Sequence, residues 1–143
     1  MFCTAPIGEN MMRKLIIAAL LGLVPSFVWA AEQNDSIWNR MIEAIIQVES
    51  GGNPRAVSKG GGSVGILQIT PICVKECNLI LKKKVYSLSD RYNPVKSREM
   101  FDLIQNKYNP ERNIEKAIRL WNGGPGYSTK KTQGYYNKVR RKM

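Results

Sequence analysis

The residue best placed to do chemistry is Glu49. It ends an apolar helical stretch and is followed by Ser50, Gly51 and Gly52. Counting back along a helix, Ile45 and Ile42 share its face, because residues four and seven apart line up. That face is the apolar one, so Glu49 points to the core side and away from bulk water. It also sits in the last helical turn, where the backbone dipole is negative. Burial and a negative dipole end both disfavour a carboxylate and push the pKa up. A carboxyl that stays protonated near neutral pH is what a general acid needs. The plainer reading is the solvated last residue of a helix stopped by a Gly-Gly pair.

Other chemistries lack their residues. The chain has no histidine, which excludes a Ser-His-Asp or Cys-His nucleophile and leaves no basis for a zinc site. No metal and no organic cofactor is expected. Cys3 falls in the leader described below. Cys73 and Cys77 lie four apart on one predicted helix, with Cα atoms about 6 Å apart, inside disulfide range. An oxidising compartment would permit that disulfide; two small buried side chains are the alternative. The spacing is not the redox C-x-x-C. Asp35, Glu43, Asp90, Glu99, Asp102, Glu111 and Glu115 all fall on helix starts or charged faces. Glu49 thus has no evident carboxylate partner of the kind that most glycoside hydrolases use.

Several elements must hold this acid in place. The first predicted helix covers residues 36–49, capped by Asp35 or Ser36, with Trp38, Met41, Ile42, Ile45 and Val48 inward. Gly51-Gly52 stops it. Residues 63–69, with Val, Ile and Leu beside Gly60-Gly61-Gly62, read as a short strand or extended piece. Within it Gln68 interrupts an apolar run, either to satisfy backbone groups or to face a ligand. Thr70-Pro71 opens a second helix, to about residue 83, and residues 86–90 form a linker. Residues 94–108 and 110–122 form two more helices, and 132–141 a last short one. In the fourth, Ile114, Ala117, Ile118 and Trp121 fit the i, i+3, i+4, i+7 template. The pair Asn-Pro recurs at 53–54, 93–94 and 109–110, where Asn can cap and Pro can take the first helical position.

The first thirty residues read as a signal peptide. Met11-Met12-Arg13-Lys14 is a positive start, residues 15–28 are apolar, and Val28-Trp29-Ala30 is a small-residue cleavage site. The run is short for a membrane span. Residues 31–143 then form one small domain. The formal charge is +11, spread over the surface, which suits an anionic polymer such as an envelope glycan. Nothing resembles a nucleic-acid-binding motif, so no nucleic acid and no stable membrane anchor is expected.

Four ordered motifs then carry a resemblance. Glu49-Ser50-Gly51-Gly52-Asn53-Pro54 with Ala56-Val57-Ser58 comes first, and Gly65-Ile66-Leu67-Gln68-Ile69-Thr70-Pro71 second. Trp121-Asn122-Gly123-Gly124-Pro125-Gly126 is the third, and Thr132, Tyr135 and Val139 the fourth. Together they resemble the signature of the soluble lytic transglycosylase (SLT) family. The loop between Ser58 and Gly65 is about one residue longer than usual, and Trp121 stands where that family often has Tyr. The resemblance implies a mostly α, lysozyme-like single domain. About five helices would surround a saccharide groove, with a small extended segment. It implies Glu49 as the single acid and base, cutting peptidoglycan without water to give 1,6-anhydromuramyl ends. It implies Ser58, Gln68, Asn122 and Tyr135 as groove residues; Trp121 would stack on a sugar or belong to the core. Two other readings share the scaffold: a goose-type-lysozyme-like hydrolase, and an inactive wall-binding accessory domain of a secretion or conjugation machine. The implied setting is the periplasm or cell envelope, as a monomer on glycan strands, with targeting supplied by a partner in envelope machinery.

Overall fold

Polar caps define where most of the helices begin. A computed structural model describes residues 26–143, with side chains from Asp35 onward. Most of the predicted leader therefore lies outside the described residues. The chain divides into two compact units, Met1–Ile37 and Trp38–Met143. Of the first, the described part is the opening of helix α1 (Ser26–Glu49). This helix starts ten residues before the expected cap, since Ala30, Ala31, Glu32 and Gln33 are all good helix formers.

In the second unit, α2 (Pro71–Ile80) is capped by Thr70, whose Oγ1 accepts from the Cys73 N–H at 3.2 Å, with Pro71 in the first turn. The expected linker is a 3₁₀ helix, η1 (Leu88–Tyr92), closed by a Ser87–Asp90 capping box. Helix α3 (Pro94–Tyr108) is capped by Asn93, which accepts from Val95 and Lys96 N–H. Helix α4 (Ile114–Gly123) starts four residues later than expected, and its cap is Asn113. Helix α5 (Thr129–Arg140) starts three residues earlier than expected, capped by Ser128.

The three Asn-Pro pairs therefore do different work. Only Asn93-Pro94 opens a helix. Asn53 makes a local turn, accepting from Arg55 N–H at 2.9 Å. Asn109 is fully buried at the end of α3 and staples the next turn, bonding Gln105, Asn113 N–H and Asn113 C=O. A buried amide with all its partners inside the turn is not available to cap a following helix.

No sheet forms among the described residues. The expected extended piece at 63–69 reduces to two isolated bridges, Val57 with Val64 and Val64 with Ile69. Residues 65–68 between them are a tight turn. Gly65 has φ 79°, and a Cβ there would collide with the Arg91 carbonyl oxygen, so only glycine lets η1 close over this turn. Arg91 is buried and ties the two together: its Nη1 donates to the Ile69 carbonyl at 3.2 Å and its Nε to Leu88 at 2.8 Å.

The core collects the apolar stripe of each helix. Met41 and Ile45 of α1, Cys77 of α2, Phe101 of α3, Ile118 of α4 and Val139 of α5 are all buried, around Leu67 and Ile69 of the turn. Cys73 and Cys77 are free thiols in the structure. Cys77 Sγ lies 3.6 Å from the Met100 carbonyl oxygen in the core.

Candidate active site

Glu49 stands at the last residue of α1. Its backbone position follows from the stop that comes next: Gly51 and Gly52 both take positive φ and turn the chain out of the helix. Ser50 fixes the turn. Its Oγ donates to the Ile66 carbonyl at 2.8 Å and accepts from Gly52 N–H at 3.1 Å. The residue after the acid is thereby stitched to the Gly65 turn sixteen residues on.

Across from it, Tyr135 of α5 donates its hydroxyl to Glu49 Oε1 at 2.6 Å. Two opposed influences act on the acid. Burial raises its pKa above the ordinary carboxylate range, and the Tyr135 hydrogen bond pulls the other way more weakly. Tyr135 itself is pushed upward by burial and by the neighbouring carboxylate, so it remains a donor. No second carboxylate contributes to the shift of Glu49.

The position of Tyr135 depends on a residue that sequence reading passed over. Arg119 of α4 is almost wholly buried. Its guanidinium donates to Thr129 C=O, Thr132 Oγ1 and Gln133 Oε1 of α5 and to Glu115 Oε1, at 2.7 to 3.1 Å, and lies over the Tyr136 ring. A planar fork satisfied on every side locks α5 against α4. Thr132, one of the motif residues, serves this lock. The signal available in sequence was the spacing of Glu115 and Arg119, i and i+4 on a helix.

A cavity of about 370 Å³ begins at Gln68, the last residue of the turn that Ser50 holds. Gln68, Trp121 and Asn122, three of the residues expected along a groove, line it. Gln68 has φ 48° and its amide donates to the Gly65 carbonyl at 3.0 Å. Gln68 thus satisfies a turn and also borders the cavity. Trp121 is half-buried; its Nε1 donates to the Leu67 carbonyl at 3.3 Å and its ring packs on Phe101 at 4.8 Å between centroids. One face thus belongs to the core while the residue borders the cavity. Asn122 is exposed and its side chain makes no hydrogen bond among the described residues. Ser58 is not part of this lining. Its Oγ accepts from Ser63 N–H at 3.0 Å and closes its own loop.

The cavity also contains a carboxylate that sequence reading missed. Glu76 of α2 borders it beside Tyr108 and Cys73. Tyr108 donates to Glu76 Oε1 at 2.6 Å, and Lys107 Nζ to the same oxygen at 3.0 Å. These bonds hold Glu76 below the ordinary carboxylate range. Oε2 receives no hydrogen bond among the described residues. Glu76 lies in no motif, and only the packing of α2 beside α3 brings it to Tyr108.

A helical domain with one part-buried acid at a helix end, and a cavity edged by amides and an indole that neither this acid nor Tyr135 lines, is of the lysozyme-like class. The chain belongs to the transglycosylase SLT domain family, whose sequence model matches residues 26–143. That membership carries a lytic-transglycosylase-like function on peptidoglycan, and SLT domains act on it in the periplasm or cell envelope. No solved structure matches the chain significantly. No described helix is long and apolar enough to cross a membrane.

Proposed function

We propose that the protein cleaves the bond between N-acetylmuramic acid and N-acetylglucosamine without water, with Glu49 as the single acid and base. The observation that carries this is the setting of Glu49: part-buried at a helix end, bonded to Tyr135, its pKa raised by desolvation, and without a carboxylate partner among the described residues. Glu49 gives its proton to the bridging oxygen as the C1–O bond breaks. The substrate's own 2-acetamido carbonyl stabilises the cationic carbon. Glu49, now a carboxylate, takes the proton of the muramyl 6-hydroxyl, whose oxygen bonds to C1. The product carries a 1,6-anhydro ring, and the enzyme regains its proton. Closing the ring within one sugar supplies the entropic gain of an intramolecular reaction.

Tyr135 suits both halves of this cycle. Its hydrogen bond favours the charged carboxylate, so it eases proton release in the first step, while desolvation favours the protonated form beforehand. Gln68, Asn122 and Trp121 provide amide and indole contacts for the sugars. Glu76 Oε2, ionised and unoccupied, accepts from a hydroxyl or acetamido N–H. Ser58 acts indirectly, by shaping the loop. Residues 1–30 act as the export signal.

The test is to incubate the full chain, beside Glu49→Gln, with peptidoglycan and weigh the products. Fragments one water lighter than lysozyme products, lost in the variant, are expected. Reducing ends would instead assign a hydrolase. Wall binding without cleavage by either form would assign an accessory binding domain.

A further inference from the structure

A second cavity lies on another face of α2. Its volume is about 750 Å³, roughly twice that of the cavity at Trp121. Helix α2 serves both: Ile72, Cys73 and Glu76 face the candidate site, whereas Lys75, Asn78, Leu79 and, just past its end, Lys82 face this groove. The spacing 75, 78, 79, 82 is one helical face.

The chemistry of the groove is one-sided. Four lysines line it, at 75, 82, 83 and 84, and no acidic side chain does. None of these four makes an ion pair among the described residues, while Lys96, Lys107 and Lys116 each hold a glutamate. Between the lysines the walls are apolar and uncovered: Leu79 is 60% and Leu88 52% exposed. Large apolar side chains left this open beside unpaired charge mark a recognition surface more than a solvated one.

The groove is also preformed. Asn78 clamps the far wall to α2, donating to Tyr86 C=O and accepting from Val85 and Tyr86 N–H, each at 2.8 Å. The Ser87–Asp90 box holds the start of η1. Lys82 takes φ 54°, an uncommon conformation for a residue with a side chain, at the turn that sets three lysines along the rim.

We infer that this groove docks a segment of a partner protein in which acidic residues flank apolar ones. A simple anion would use the lysines and leave Leu79 and Leu88 in water. A bilayer surface would call for a flat face, not a walled groove. An acidic, apolar peptide answers both features, and the charge complementarity speeds its encounter. The inference is independent of the chemistry at Glu49.

The test is to pan a random twelve-residue peptide display library against the full chain. Enriched peptides should combine Asp or Glu with Leu, Ile or Phe. Their affinity should fall at least tenfold in Lys83→Glu/Lys84→Glu and again in Leu79→Ser, with helical signal and peptidoglycan cleavage unchanged. Absence of enrichment, or peptides indifferent to these variants, would overturn the inference. So would loss of binding in the charge variant alone, which means electrostatic adhesion. Phosphatidylglycerol vesicles provide the remaining arm: binding that depends on the same residues, without peptide enrichment, would reassign the groove to lipid.

Discussion

Two tyrosine–glutamate pairs in this molecule have the same bond and opposite consequences. Tyr135 donates to Glu49 at 2.6 Å, and Tyr108 donates to Glu76 at 2.6 Å. The first glutamate is held above the ordinary carboxylate range and the second below it. The hydrogen bond lowers both, so it is not the cause of the difference. Glu49 is part-buried at a helix end, and desolvation outweighs its single bond. Glu76 keeps access to water and has Lys107 as a second donor. Under the proposed function, the first pair supplies the proton and the second a charge for recognition.

The strongest way to break this contrast is Glu49→Gln, which keeps the shape and the Tyr135 contact but removes the proton. Peptidoglycan cleavage should fall by roughly 10³-fold or more, read as anhydromuropeptide release by mass spectrometry. The same glutamate predicts the pH profile: kcat/KM should decline as pH rises through its raised pKa, because the free enzyme must carry the proton. Next comes Tyr135→Phe, with an expected loss of about 10- to 100-fold. Since the bond lowers the Glu49 pKa, its removal should move the alkaline limb of the profile to higher pH. A profile that drops in height without moving would place Tyr135 outside the control of the acid.

Glu76→Gln should cost only a few-fold, and in KM, with kcat held, as expected of a contact made equally in ground and transition states. A collapse of kcat would make it a second reacting carboxylate and favour the hydrolase. The smallest effect is on stability. A raised Glu49 pKa means that the native state binds its proton more tightly than the unfolded chain. Stability is then lost as pH rises from the unfolded pKa through the folded one, and the cost is complete above the folded pKa. Glu49→Gln should therefore raise Tm by about 2–5 °C at pH 7, and the gain should vanish below pH 4. Glu76 has the opposite sign: its contribution is present above its unfolded pKa and lost as pH falls through its lowered one. Glu76→Gln should lower Tm slightly at pH 7.

Much of this was legible in the chain. Glu49 could be found because its setting is local: an apolar stripe at spacing four and seven, then two glycines. The helices from Pro71 and Pro94 announced themselves through a polar cap followed by proline, which needs no tertiary partner. The last two starts were misread because the true caps, Asn113 and Ser128, carry no proline, while the conspicuous Asn109-Pro110 was spent on a buried turn. The short strand or extended piece expected at 63–69 is reduced to isolated bridges for a related reason. Its β-branched residues had no neighbouring strand to pair with, and Gly65 and Gln68 took positive φ to let the turn fold under Arg91.

The sequence by itself determined the acid, its apolar helix and the family, because each is written in residues close together along the chain. Only the tertiary structure decided which side chain would meet the acid, since Tyr135 is 86 residues away and arrives through the Arg119 lock. It alone brought Glu76 to Tyr108, 32 residues on, and left four lysines and two leucines around an open groove. Local patterns report backbone propensity and burial; the charge state of a carboxyl depends on water and partners that only packing supplies.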